Sequence, residues 1–126
     1  KLLREKGLAA VVAGTMERWF TPGFRERSPQ TIAHMSEMLL TTPLEGYIAC
    51  CEAVRDMDHR DILVNIKAPT LIIAGQQDSA TTAENAEFIR DRVAGSKLAL
   101  IDAAHISNVE QPEIYTKTAL EFLTAR

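Results

Sequence analysis

The sequence predicts an α/β chain: a helical segment over residues 1–66, then the two closing strand–helix units of a parallel sheet over residues 67–126. Three observations carry that expectation. Apolar residues recur at helical spacing through the first sixty or so positions. Two short aliphatic runs, Thr70–Gly75 and Lys97–Ile101, follow without that spacing. Each run is succeeded by a helical pattern, the order expected of parallel strands joined by a crossover.

In the first segment, Leu2, Leu3, Leu8, Ala9, Val12, Met16 and Trp19-Phe20 mark one helix, stopped by Thr21-Pro22-Gly23. Ser28-Pro29 supplies an N-cap and a proline at the first helical position, and Ile32, Met35, Met38 and Leu39 give that helix its apolar face. Thr42-Pro43 repeats the start signal for a third helix, through Tyr47, Ile48, Cys51 and Val54 to about Asp56, and Arg60–Leu63 forms a short turn of helix. Past Pro69, Thr70–Gly75 reads as a strand buried on both faces. Thr81 and Glu84 have capping-box spacing at the start of a helix that Gly95 closes. After the second strand, Asp102–Gln111 reads as a polar loop, and Pro112 opens a last helix with Ile114, Tyr115, Ala119, Leu120 and Leu123 on one face. Two parallel strands cannot cover both their faces, so the chain needs the rest of a sheet or another copy of itself. It begins with Lys1 rather than Met, and is expected to be a piece of something longer.

Composition narrows the function classes. With 46% hydrophobic and 25% charged residues and a net charge of −3, the chain has the balance of a globular domain and no basic stripe to recruit nucleic acid. Its apolar runs fall short of the roughly 20 residues of a membrane span, so neither a nucleic-acid nor a membrane partner is expected. Cys50 and Cys51 are adjacent, a poor geometry for a disulfide; without a nearby histidine they make no metal site. They are expected to be buried thiols in a reducing cytoplasm.

Two polar stretches sit just past the carboxyl ends of the strands, the edge where open α/β sheets bind ligands. Asp78 follows the first strand and His105 the second. Alone, Asp78 is as readily a turn-former, and a loop histidine is unremarkable. Together they leave one sheet edge from neighbouring strands, where a carboxylate can hold the imidazole Nδ1–H and turn Nε2 outward as a general base. No G-x-S-x-G elbow accompanies them. Ser79 and Ser107 read as loop hydroxyls, and the nucleophilic serine is expected before residue 1.

The stretches Pro69–Asp78 and Asp102–Pro112, the latter containing His-Ile-Ser-Asn and Glu-Gln-Pro, resemble the closing segments of the α/β-hydrolase superfamily, most closely the 3-oxoadipate enol-lactonases of aromatic catabolism. Arg18–Pro22 and Gly46–Asp56 are similar to that family's cap. The resemblance implies a C-terminal part of an α/β-hydrolase, with a helical cap over 1–66 and a core segment carrying two triad members over 67–126. It also implies a serine attack on an enol-lactone with Asp78 and His105 as acid and base, and no metal or organic cofactor. The partners implied are a small lactone or ester and the N-terminal half of the hydrolase. Ser79-Ala80-Thr81-Thr82 departs from the family, where a proline commonly follows the acid. Esterases, non-haem haloperoxidases and C–C hydrolases share these loops, and a non-catalytic fragment that associates with a second copy stays open. Trp19 and Arg18, beside a sharp turn, are substrate-binding candidates for a small anion, set against core packing for Trp19 and a solvated face or ion pair for Arg18. The Arg55–Arg60 charge cluster, with His59, is read as structural.

Overall fold

The computed structural model describes residues 2–125, which form two compact units. The first comprises residues 2–17 and Pro22–Asp58 and is entirely helical: α1 (Leu2–Lys6), a 3-10 turn (Leu8–Ala10), α2 (Val12–Trp19), α3 (Pro22–Arg27), α4 (Pro29–Leu40) and α5 (Leu44–Asp56). Leu8, Met16, Phe24, Leu39 and Ile48 are its buried apolar side chains. The run expected as one helix over residues 2–20 is broken because Gly7 takes φ 67° and ψ −173°, a positive-φ extended conformation outside any helix that essentially only glycine adopts. Pro22 does stop α2, but it also opens the short α3. Ser28 and Pro29 start α4 as read, whereas Pro43 is the residue before α5 rather than its first. Met38 is 52% exposed. At about 100° per residue it lies about 120° round the helix from Ile32 and about 100° from the buried Leu39, at the edge of the apolar face.

The cysteine expectation fails as well: Cys50 and Cys51 are free and exposed. Only the first half of α5 turns inward, through Leu44, Tyr47 and Ile48, and every residue from 49 to 60 is exposed.

The second unit comprises Arg18–Thr21 and residues 59–125, so the last two residues of α2 belong to it, as does a 3-10 turn over Arg60–Asn65. Then come β1 (Leu71–Gly75), α6 (Ala83–Arg92), β2 (Lys97–Ile101), α7 (Ser107–Glu110) and α8 (Pro112–Thr124). The strands pair in parallel, from Leu71 opposite Lys97 to Gly75 opposite Ile101, so both carboxyl ends finish level. Residues 71–74 are half-buried rather than covered on both faces, because β2 is the one strand beside β1 among the described residues. For the same reason Leu100 is 39% exposed, and the apolar face of α8 stays open at Ile114, Leu120 and Leu123. The capping box of α6 lies one residue later than its spacing suggests: Thr82 is the cap, and its N–H donates to Asn85 Oδ1 at 3.0 Å. Thr81 is thereby left free of helix capping.

The loops after the strands are laced together. Gln76 N–H donates to the Ile101 carbonyl at 2.8 Å, Gln77 N–H to the Ala103 carbonyl at 3.0 Å, and Gln77 Nε2 to Asp102 Oδ1 at 2.7 Å. The backbones approach so closely that a Cβ at Gly75 would lie 2.2 Å from the Ala104 oxygen and 2.4 Å from that of Ala103. Gly75 is required here for space. Because backbone cannot rotate aside as a side chain can, Gly75→Ala is expected to destabilise the protein by about 3 kcal/mol, the upper end for overpacking. It should also displace the His105 loop. A denaturant midpoint unchanged within error would count against this account of the edge.

Candidate active site

Asp78 stands three residues past β1 and His105 four past β2, which the level strand ends bring together across 27 positions of sequence. His105 Nδ1 lies 2.7 Å from Asp78 Oδ2. The carboxylate is nearly enclosed, with 4% of its side chain exposed, while the imidazole keeps 33%.

The two carboxylate oxygens have different tasks. Oδ1 accepts the Ala80 N–H at 2.8 Å and the Thr81 N–H at 3.0 Å, closing the turn that carries the chain from β1 toward α6. Oδ2 accepts the Thr81 hydroxyl at 2.6 Å and faces His105. Asp78 is thus a turn-former and a histidine partner at once. Burial pushes its carboxyl pKa up, but the hydrogen bonds from the Thr81 hydroxyl, His105, and the Thr81 and Ala80 amides outweigh it, and the net result lies below the ordinary value.

An ionised carboxylate only accepts, so Nδ1 carries the proton and donates it to Oδ2. The Thr81 hydroxyl, 3.3 Å from Nδ1, donates its own proton to the same oxygen, so toward the ring it can only accept. Nε2 is left with its lone pair. Among the described residues no serine hydroxyl hydrogen-bonds the imidazole: Ser79 is exposed two residues before Thr81, and Ser107 is buried at the start of α7. No group of three or more metal-ligating side chains comes together among the described residues.

A depressed Asp78 pKa fixes the sign of one pH dependence. The ionised form gains its four bonds only in the folded state. That stabilisation is complete above about pH 3.9, the unfolded value, and is lost as pH falls through the lower folded value. The stability difference between wild type and Asp78→Ala should therefore shrink as pH falls below about 3.9, as urea titrations at about pH 5 and below would show. A gap that widened as pH fell from about 5 to about 3 would contradict the assignment.

Of the two substrate-binding candidates, Trp19 is half-buried and its carbonyl accepts the Ile106 N–H at 3.0 Å, which fixes its backbone one residue from His105. Arg18 is exposed, and neither side chain is among the groups bonded to Asp78 or His105. Arg55 pairs with Asp56 at 2.6 Å on the surface, and His59 and His34 are exposed.

Two site residues lie outside the sequence expectations. Thr81 has the spacing of a helix cap, although an Asp followed three positions later by Thr is also a spacing at which a carboxylate reaches back onto the turn. Glu110 stands in the sequence only as part of Glu-Gln-Pro. It is buried, at 5% exposure, in the helix α7 that interrupts the expected loop.

No protein-family model matches the chain. It is 43% identical over 115 residues to 3-oxoadipate enol-lactonase 2 of Acinetobacter baylyi, an alignment that takes in 91% of this chain and 43% of that one. Among solved structures, the enol-lactonase from Burkholderia xenovorans superposes with a TM-score of 0.97 at 35% identity, over 98% of this chain and 48% of that one. A thermophilic esterase from Thermogutta terrifontis gives 0.89 at 28% identity, over 96% and 45%. The chain spans less than half the length of these relatives. Among the described residues no helix is long and apolar enough to cross a membrane. With a parallel strand pair, its helices and a carboxylate–histidine pair at the strand ends, the chain is by fold and by sequence the counterpart of the C-terminal half of an α/β-hydrolase, with 3-oxoadipate enol-lactonases among its relatives.

Proposed function

We propose that Asp78 and His105 are the acid and base of a serine-hydrolase triad that opens a small enol-lactone, 3-oxoadipate enol-lactone being the substrate named for a relative. The observation that carries this is the 2.7 Å bond between His105 Nδ1 and Asp78 Oδ2 at the carboxyl edge of parallel strands. The chain order of acid before histidine fits the α/β-hydrolase triad. His105 Nε2 takes the proton of a serine hydroxyl as its oxygen bonds to the lactone carbonyl carbon. The ring C–O bond then breaks, and the proton on Nε2 passes to the departing enol oxygen. Water, deprotonated by the same Nε2, cleaves the acyl-serine and restores the hydroxyl. Asp78 holds the ring and stabilises the imidazolium formed at each transfer. The serine and the oxyanion donors come from outside these 126 residues, and no cofactor takes part. In the same proposal, residues 1–66 form the cap and residues 67–126 close the core. Two free, exposed cysteines suit a reducing cytoplasm.

The similarity to an esterase supports a second reading, hydrolysis of simple carboxylic esters. Initial rates of the intact protein on 3-oxoadipate enol-lactone and on 4-nitrophenyl acetate separate the two. The lactonase reading expects kcat/KM to favour the lactone by at least about a hundredfold, the scale of discrimination by pocket fit alone. A preference for the ester would replace it with the second reading.

A further inference from the structure

Three hydrogen-bond donors from two distant stretches converge on one buried carboxylate. Glu110 Oε2 accepts the Ala104 N–H at 3.1 Å and the Thr21 N–H at 3.3 Å, and Oε1 accepts the Thr21 hydroxyl. Glu110 and Thr21 are 89 positions apart. Ala104 precedes His105 and Ile106 follows it. The Ala104 N–H is held by Glu110 and the Ile106 N–H by the Trp19 carbonyl, so both neighbours of the histidine are tethered, directly or through Glu110, to the segment Arg18–Thr21. Thr21 and Glu110 are buried, as is Phe20 between Trp19 and Thr21. A carboxylate placed out of water is costly unless its lone pairs are met, and here they are met by groups that fix position.

We propose that Glu110 is a positioning residue: its carboxylate clamps the Arg18–Thr21 segment to the His105 loop and so sets the reach of Nε2 and the distance from it to Trp19. The clamp rests on the triad assigned to Asp78 and His105. It works by geometry rather than by charge. A glutamine can reproduce every bond, its oxygen accepting the two N–H groups and its amide nitrogen donating to Thr21 Oγ1. An alanine can reproduce none. Removal of a group that orients the base shifts it by a fraction of an ångström to an ångström, and a misplacement of that size costs about a hundredfold in rate.

The test uses the intact protein with 4-nitrophenyl acetate and 3-oxoadipate enol-lactone, comparing wild type, Glu110→Ala, Glu110→Gln, Thr21→Val and His105→Ala. Activity per folded molecule and the imidazole 15N–1H resonances of His105 are read together. Glu110→Ala should lower kcat by about 30- to 100-fold on both substrates, raise KM for the lactone and shift or broaden the His105 resonances. Glu110→Gln should recover to within about threefold of wild type, and Thr21→Val, which removes one bond, should fall by about three- to tenfold. If Glu110→Ala does not fold, Thr21→Val carries the comparison alone. A Glu110→Ala variant, or in its absence Thr21→Val, with wild-type kcat and unmoved His105 resonances would overturn the clamp. So would a Glu110→Gln variant as impaired as Glu110→Ala. Undiminished activity in His105→Ala would instead remove the triad assignment beneath it.

Discussion

His105→Ala is expected to lower kcat/KM of the intact protein by about 10⁴-fold, while leaving the fold in place. The imidazole is one-third exposed and, among the described residues, bonds only to the Asp78–Thr81 turn, so its loss opens no core cavity. Asp78 keeps its Thr81 and Ala80 donors in the variant, which should preserve the turn. The effect should therefore fall on kcat rather than on stability, since Nε2 is the base in both the acylation and the hydrolysis step. Melting temperature and kcat measured on the same sample separate the two. A variant that kept a tenth of wild-type activity would mean that another group takes the proton.

Asp78→Asn should cost nearly as much, about 10⁴-fold in kcat, and for a different reason. The asparagine oxygen can still accept the Ala80 and Thr81 amides, so the turn survives. Its NH₂ then occupies the Oδ2 position and donates toward His105. Nδ1 must become the acceptor, and the ring proton moves to Nε2, where it covers the lone pair that the base needs. The histidine would be present, correctly placed and in the wrong tautomer. Imidazole 15N shifts would show the exchange directly. An active Asp78→Asn protein with an unchanged tautomer would contradict the roles given to both residues.

Much of this site was legible in the sequence because its logic is local and topological. Two aliphatic runs with helices after them imply parallel strands, and residues just past such strands share an edge, so Asp78 and His105 could be paired across 27 positions without knowing any distance. The missed features are those set by a tertiary neighbour. By spacing Thr81, with Glu84 three residues on, is the better cap, and what draws it away is that its hydroxyl has Asp78 Oδ2 within 2.6 Å. Glu110 gives no periodic signal, since its partner Thr21 lies at the other end of the chain. Gly7 sits within an apolar pattern that fits a continuous helix, and only its φ of 67° shows that the backbone turns there. The exposed faces of β2 and α8 follow the same rule in reverse. Leu100, Leu120 and Leu123 give them an aliphatic pattern in the sequence, but burial depends on neighbours that the described residues do not supply.

The central claim is that His105, held by Asp78, activates a serine that is none of the five in this chain. Labelling with a fluorophosphonate tests it most directly, because the reagent reacts with a serine only when a base raises its nucleophilicity. The intact wild-type protein is predicted to take up one equivalent, at a serine outside these 126 residues, and His105→Ala to label at least about a hundredfold more slowly, the scale of general-base assistance. Labelling of Ser28, Ser36, Ser79, Ser96 or Ser107, or equal rates with and without His105, would contradict it.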